Sequence, residues 1–453
     1  MRAYIRAVRR WERDVKLFLL FQLLANVGFG VFNLIFNLYL YELNLREDFI
    51  GAVQAAQTIC MAGAGVSLGI VLHRIGAWRS IVGGAGLFLS MLLLLSFAER
   101  EAFILLLAAL SGVGLAYLFN TTMPFIMDWT RPEQRQQVAA LAFSLQSLAI
   151  TAGSLLGGFV PSILALVTSV ESSSVEAFRW TMVLGATLGI CGIFPLFLMR
   201  EARHGRPREE TTATAIEDGP SERRQTRRDM AVFVASGGIM ALGVGMVMPF
   251  YNVFLTTLGA NSREIGYVYA LGGICAAVIG LSAPAVARRL GPLRAVFLVR
   301  SSIVPFYLLL IVAPGYGLAV LAHLVRQTSI SMAWPIDSTF IGELLPRRAR
   351  LSVFGLRSAA WNLNWAVASL LGGGIIVRYG YDWTFVSIGV FTFLSAVIFI
   401  GYFSRHPKVR AGEIGAVPGR PVTVNSFIRR WPRRGNGVSS GEDVVATDKA
   451  ETR

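Results

Sequence analysis

Apolar residues fall in twelve long runs, at 17–42, 48–72, 79–98, 102–127, 136–168, 177–199, 230–258, 263–287, 293–313, 315–342, 351–377 and 383–403. A helix needs roughly 20 apolar residues to cross a bilayer core. A barrel would need short segments of alternating polarity, which are not here. In hydrocarbon an isolated segment satisfies its own backbone groups only as a helix. The pattern therefore predicts an all-α membrane protein with twelve transmembrane helices, spans 1 to 12. Polar intervals divide the chain into a lead-in (1–16), a six-span half (17–199), a central linker (200–229), a second six-span half (230–404) and a polar tail (405–453).

The two halves repeat at a constant offset of 215 residues. Gly28 and Gly30 fall on Gly243 and Gly245, Asn37 on Asn252, and Ile50-Gly51 on Ile265-Gly266. Arg74, Gly76 and Arg79 fall on Arg289, Gly291 and Arg294. Asp128 falls on Glu343, Arg135 on Arg350, and Ser154-Leu-Leu-Gly-Gly158 on Ser369-Leu-Leu-Gly-Gly373. One register held across five spans and their loops marks a parallel repeat, which places a substrate site at the interface of the halves near mid-membrane.

The 453 residues are 54% hydrophobic and 15% charged, well below the charge content of a soluble domain, and the formal net charge is +15. Eighteen arginines lie in the loops after even-numbered spans and five in those after odd-numbered spans. That asymmetry puts the even loops and both termini in the cytoplasm of a bacterial-type inner membrane, and makes the charge a topology signal rather than a nucleic-acid footprint. Cys60, Cys191 and Cys275 sit inside apolar runs and imply no disulfide framework. Arg429, Arg430, Trp431, Arg433 and Arg434 form a basic cluster in a tail expected to be solvated. His73, His204, His323 and His406 are dispersed without metal-ligand spacing, and no phosphate-binding glycine loop precedes a lysine. The chain thus shows no metal, cofactor or ATP signature. Transport stands ahead of a membrane enzyme or a sensor, with a monomer, a small-molecule substrate, the lipid bilayer and protons as the expected partners.

Polar groups inside spans are costly and mark sites. In span 1, Gln22, Asn26, Asn33 and Asn37 share one helical face, either as a cavity wall or as interhelical bonds. Asn120, Gln146 and Asn252 are similar, weaker candidates. Span 10 carries His323, Arg326, Gln327, Ser331 and Asp337. Arg326 and Asp337 stand eleven residues apart, too far to pair. Counting inward from Glu343 and Arg350 puts Asp337 and Arg357 at one depth, which predicts an ion pair that is either structural or a proton-exchange site. Arg326, near mid-depth, either faces an anionic substrate group or bonds neighbouring polar groups. Arg357, Trp361 and Asn364 recur at helical spacing in span 11, with Trp365 one turn beyond Trp361. Arg300 in span 9 is expected to snorkel to the cytoplasmic surface.

The loop Gly69-Ile-Val-Leu-His73-Arg74-Ile75-Gly76-Ala-Trp-Arg79, its second copy Arg288-Arg289-Leu290-Gly291-Pro-Leu-Arg294, and the stretches Asp128–Arg135 and Glu343–Arg350 resemble signature motifs of the major facilitator superfamily. The resemblance covers about residues 15–405. It implies that span 1 lines a cavity. It also implies that His73, Arg74, Gly76, Arg79, Asp128, Arg135, Arg289, Gly291, Arg294, Glu343 and Arg350 form a cytoplasmic gate, with Arg79 facing Asp128 and Arg294 facing Glu343. The family's loop carboxylate is replaced by His73 and Arg288, so the gate lacks the acid that suits a helix N-terminus. The family prior leads to efflux of a small organic compound by proton antiport. The alternative is an uptake permease or facilitator for a polar or anionic metabolite. Span 4 has Ala109 where proton-coupled exporters of the family resemble one another in carrying arginine, and span 1 has no mid-membrane acid.

Overall fold

The structure is a computed structural model describing residues 12–130, 134–168, 170–199 and 220–411. The tail cluster Arg429–Arg434, most of the lead-in and most of the linker lie outside the described residues. Helix α1 (Arg13–Glu42) carries span 1. The 49-residue α2 (Glu47–Leu95) carries spans 2 and 3. At 1.5 Å per residue α2 would be about 73 Å long, more than twice a bilayer core. It is broken at Gly76, where φ is 80° and ψ 166°. That backbone is strained for any residue with a Cβ. Helices α3 (Glu101–Trp129), α4 (Arg135–Thr168) and α5 (Val175–Phe197) complete the first half.

In the second half, α6 (Pro220–Gly245), a 3-10 turn (Met248–Phe250) and α7 (Tyr251–Thr257) make span 7. Span 8 is α8 (Ser262–Gly280) with α9 (Ala283–Leu290), and span 9 is α10 (Pro292–Ser301) with α11 (Ile303–Val312). Then come α12 (Tyr316–Leu344), α13 (Arg347–Tyr379), α14 (Asp382–Phe403) and the short α15 (Pro407–Arg410). Pro249 and Pro284 lack an N–H for the ladder and fall at two of the interruptions. Gly291, between α9 and α10, repeats the Gly76 backbone with φ 79° and ψ 150°.

Among the described residues nine helical segments are long and apolar enough to cross a membrane, or ten if α8 and α9, bent by 48°, count as one. This is an all-α polytopic membrane fold. Even ten falls short of the twelve runs, for two reasons. Helix α2 counts once although it holds two runs, and α12 carries His323, Arg326 and Asp337, which lower its hydropathy. Helix α6 also reaches back into the segment read as linker, and α15 lies in the segment read as tail, with Val409 buried.

The halves meet through α2 against α13 and α4 against α8. The contact is close at the end of the bundle remote from the termini. A Cβ at Gly158 would come within 2.7 Å of the Ser262 carbonyl, and one at Gly373 would overlap the carbonyl of Glu47, the repeat counterpart of Ser262. There Ser262 also donates to the Gly158 carbonyl (3.3 Å), and Tyr381 donates to Glu47 Oε1 (2.9 Å). Most regular is a crossed pair. Asn37 Nδ2 donates to the Pro249 carbonyl at 2.6 Å, and Asn252 Nδ2 to the Leu34 carbonyl at 2.9 Å. Donors and acceptors are each related by the 215-residue offset. Asn37 and Asn252, candidates for substrate binding, are thus committed to holding the halves together; a buried amide must find a partner, and the facing main chain supplies it.

The opposite, terminus-bearing end is apart. On α2, a Cβ at Gly51 would overlap the Ser369 carbonyl of α13, whereas one at Gly69, about five turns on along the same face, has nothing within 4 Å; in the repeat, Gly266 of α8 lies against Gly158 while Pro284 of α9 is exposed. The same helices that pack tightly across the interface at one end lose their partners at the other.

Candidate functional site

Helix α12 is held on three sides. Ser331 donates to the Ala276 carbonyl of α8 (2.9 Å), and Ser329 donates to the Val299 carbonyl of α10 (2.5 Å). Trp334 meets α13, edge-on to Trp361 at 6.3 Å and beneath the Arg357 guanidinium at 4.9 Å. Of the helices packed on α12, α8 and α13 are the ones that also pack on the first half. The face of α12 between them therefore looks across the gap between the halves. Gln327, Ser331, Trp334 and Ser338 recur on that face at helical spacing.

Behind it lies a buried charge cluster. Asp337 Oδ2 accepts from both Arg357 and Arg300, each at 2.5 Å. Arg300 also donates to Ser395 Oγ of α14 at 2.9 Å, and Ser395 donates to the Ser236 carbonyl of α6. All three charged residues are buried, and Asp337 Oδ1 makes no hydrogen bond. Two guanidiniums on one carboxylate leave a net positive charge inside the second half. Arg300, expected to snorkel, instead turns inward, because an acid at its own depth on the next span offers a stronger partner than distant water. Its flat face lies 5.1 Å from the Phe399 ring.

About three turns away along α12 is a second, uncompensated cation. Arg326 is 6% exposed and donates to Gln327 Oε1 at 3.0 Å, while its Nε makes no hydrogen bond. Among the described residues no carboxylate stands within ion-pair distance of it. Tyr251, Tyr269 and Tyr307 lie within electrostatic reach of its guanidinium. His323 is buried between the rings of Tyr251 (5.4 Å) and Tyr269 (4.7 Å).

The repeat departs here. The first-half counterparts of Arg300, Arg326, Asp337 and Arg357 are Ala85, Ser111, Thr122 and Ala142. The first half contributes neutral groups instead. Asn33 of α1 and Asn120 of α3 are exposed, and Gln146 of α4 is half-buried. Asn26 does not reach a cavity: its amide is satisfied within α1 by the carbonyl (2.7 Å) and the side chain (3.1 Å) of Gln22. Gln22 in turn donates to Thr122 at 3.4 Å. In α13, Asn364 donates to the Ala360 carbonyl and stays half-buried beside Trp361, which stacks on Trp365. Trp334 and the three tyrosines escaped the sequence reading, which turned Arg300 toward the surface rather than toward Asp337. Only Trp334 had a signal, its place on the stripe with Gln327 and Ser331.

The expected gate residues gather at the open end. His73, Arg74, Arg79, Asp128, Arg289 and Glu343 are exposed there, and Arg294 is half-buried. Gly76 and Gly291 supply the two left-handed turns. Arg135 and Arg350 instead cap helices. Their Nε atoms donate to the carbonyls of Thr130 (3.2 Å) and Leu345 (2.9 Å), the C-caps of α3 and α12. A cation there also suits the helix dipole. Among the described residues no cluster of histidine, cysteine or carboxylate groups could hold a metal.

With this geometry in place, known proteins provide a frame. Multidrug resistance protein MdtH of Aeromonas hydrophila subsp. hydrophila is 22% identical over 402 residues, covering 85% of this chain and 94% of its own. The fold is shared with the nucleoside transporter NupG (TM-score 0.69, 14% identity, 87% of this chain and 100% of that one). It is also shared with a D-xylose-proton symporter (TM-score 0.65, 16% identity, 85% and 97%). The family description of the Major Facilitator Superfamily matches residues 18–336 and 328–434, nearly the whole chain, so the protein belongs to that superfamily and is a secondary transporter of a small molecule rather than an enzyme.

Proposed function

We propose that this transporter carries a small polar or anionic metabolite by alternating access, as an uptake permease or facilitator. The observation that carries the reading is the charge imbalance within α10, α12 and α13, where three buried arginines, Arg300, Arg326 and Arg357, are accompanied by one buried acid, Asp337, which pairs with Arg300 and Arg357 but not with Arg326. Buried net charge is unfavourable until a counter-charge arrives. An anionic group beside Arg326 would supply one, and a cationic drug would be repelled. Gln327, Trp334, Trp361 and Asn364 would form one wall of the site and Asn33, Asn120 and Gln146 the other, with His323 behind Arg326. The names of the two fold neighbours, for a nucleoside and for D-xylose, agree with a polar cargo. Export of an organic compound is the second reading, favoured by the multidrug resistance relative.

In this proposal the chain crosses the membrane twelve times as two six-span halves, since α2 holds two apolar runs and α12 is a span despite its charges. Both termini are cytoplasmic. The open end then faces the cytoplasm, and Arg79 with Asp128 and Arg294 with Glu343 would close it in the opposite state. Asp337 between its two arginines is the group through which a proton would couple.

The test is thermal stabilisation of the purified protein by a panel of metabolites and drugs, with wild type beside Arg326→Ala. A specific ligand stabilises by mass action. Anionic compounds are expected to stabilise wild type and fail with the variant. Stabilisation by cationic or neutral compounds, undiminished in Arg326→Ala, would overturn the anionic assignment. Proteoliposomes loaded or bathed with a hit, with and without a pH gradient, then separate uptake from export.

A further inference from the structure

Away from the gap between the halves, at the terminus-bearing end of the second half, a cavity of about 500 Å³ opens between α6, α14 and α15. Two exposed arginines from distant parts of the chain, Arg228 of α6 and Arg405 just after α14, border it. Its other wall is apolar, formed by Val397, Ile398 and Gly401 of α14. Helix α14 packs on α6, α10, α11 and α13 of its own half. Its outer face, with Val390, Phe393, Leu394 and Val397 exposed, is turned toward lipid.

The local field is strongly positive. Arg223, Arg224, Arg227 and Arg228 occupy the first turns of α6, and Lys408 and Arg410 follow Arg405 on α15. Asp229, the acid nearest the cavity, is already occupied: its Oδ1 accepts from Tyr402 (2.8 Å) and Gln225 (2.9 Å), and its Oδ2 lies 3.4 Å from His406 Nε2. Asp229 and the exposed Glu222 of the first turn of α6 stand against seven basic side chains, Arg223, Arg224, Arg227, Arg228, Arg405, Lys408 and Arg410, so the mouth stays net positive.

A basic mouth at the level of the membrane surface, continuous with an apolar wall that runs along a lipid-facing helix, matches an amphiphile with an anionic head and acyl chains. A free anion would satisfy the arginines and leave the apolar wall without a partner. We propose that this cavity binds an anionic phospholipid, its phosphate between Arg228 and Arg405 and its acyl chain along Val397, Ile398 and Gly401. The site is separate from the transport pathway and stands whether or not the cargo is anionic.

The experiment is titration of the full-length protein in neutral detergent with phosphatidylglycerol, phosphatidylcholine or inorganic phosphate, read by thermal shift and by native mass spectrometry. Phosphatidylglycerol is expected to bind and stabilise, with phosphatidylcholine and phosphate much weaker. Arg228→Ala/Arg405→Ala should bind phosphatidylglycerol roughly thirtyfold more weakly, from the usual strength of an arginine at an anionic surface. Arg228→Lys/Arg405→Lys should keep most of the affinity, which excludes a folding defect. Arg223→Ala/Arg227→Ala removes the same charge outside the cavity and should change affinity far less than the cavity pair. Equal response to the two lipids, an unchanged Arg228→Ala/Arg405→Ala variant, or a full response to inorganic phosphate would each overturn the assignment.

Discussion

At the residue scale, the unusual feature is one carboxylate shared by two arginines. Removing a partner of a buried ion cluster costs more than the cluster itself is worth. The sign of the residual charge ranks the variants. Without Arg300, Asp337 and Arg357 remain as a neutral pair; without Asp337, two guanidiniums remain with no counter-charge. Asp337→Leu is therefore expected to destabilise by about 3–5 kcal/mol and Arg300→Met by distinctly less. Thermal unfolding of the purified variants checks this, and equal losses would mean that charge balance is not what organises the cluster. The cluster was half legible in the sequence. Depth along a helix can be counted from its end, which brings Asp337 and Arg357 to one level. Rotation about the helix axis cannot be counted where the apolar pattern is uniform. Span 9 is apolar on nearly every face, so nothing distinguished Arg300 turned inward from Arg300 turned toward the surface.

At the scale of elements, glycine positions decide where helices can approach. Gly373 and Gly374 are neighbours on α13 with opposite surroundings. A Cβ at Gly373 would overlap the Glu47 carbonyl, whereas one at Gly374 has nothing within 4 Å. Gly373→Ala is expected to lower the melting temperature and loosen α2 from α13. Gly374→Ala should be neutral or slightly stabilising, since alanine favours a helix by about 1 kcal/mol over glycine. Comparison of their melting temperatures gives the answer directly. Gly76→Ala should cost roughly 1–3 kcal/mol, the penalty of a positive-φ extended backbone that essentially only glycine adopts, and Gly291→Ala about the same. These elements were largely readable beforehand, because apolar length and the 215-residue register need no knowledge of tertiary contacts. The interruptions at Pro249 and Pro284 were not read, although proline marks both. The start of α6 was hidden because a helix that leaves the membrane becomes polar, and so looks like the linker it enters.

At the scale of the whole molecule, the two ends of the interface differ in kind. One is closed by main-chain contacts at Gly158 and Gly373 and by the crossed amides of Asn37 and Asn252; the other carries charged side chains on separated helices. In the proposed alternating access, rocking between states would break the first set. Each interhelical bond of this kind contributes roughly 0.6 kcal/mol in a membrane. Asn37→Ala/Asn252→Ala should then shift the equilibrium toward the state open at the remote end by about sevenfold. Distance distributions between spin labels placed across that end would register the shift. An unchanged distribution would assign the closure to the glycine contacts alone.

The crossed amides carry one more consequence. Each asparagine binds a main-chain carbonyl of the opposite half, and the two acceptors, Leu34 and Pro249, differ in side chain. Proline has surrendered its N–H but keeps its carbonyl oxygen, so the bond survives a replacement that would break most others. Self-complementary contact of this sort is how two identical subunits join about a two-fold axis. By reading the partner's main chain rather than its side chain, the junction lets the two copies drift apart in sequence, so that one gathers arginines and the other stays neutral, while the seam between them keeps its original symmetry.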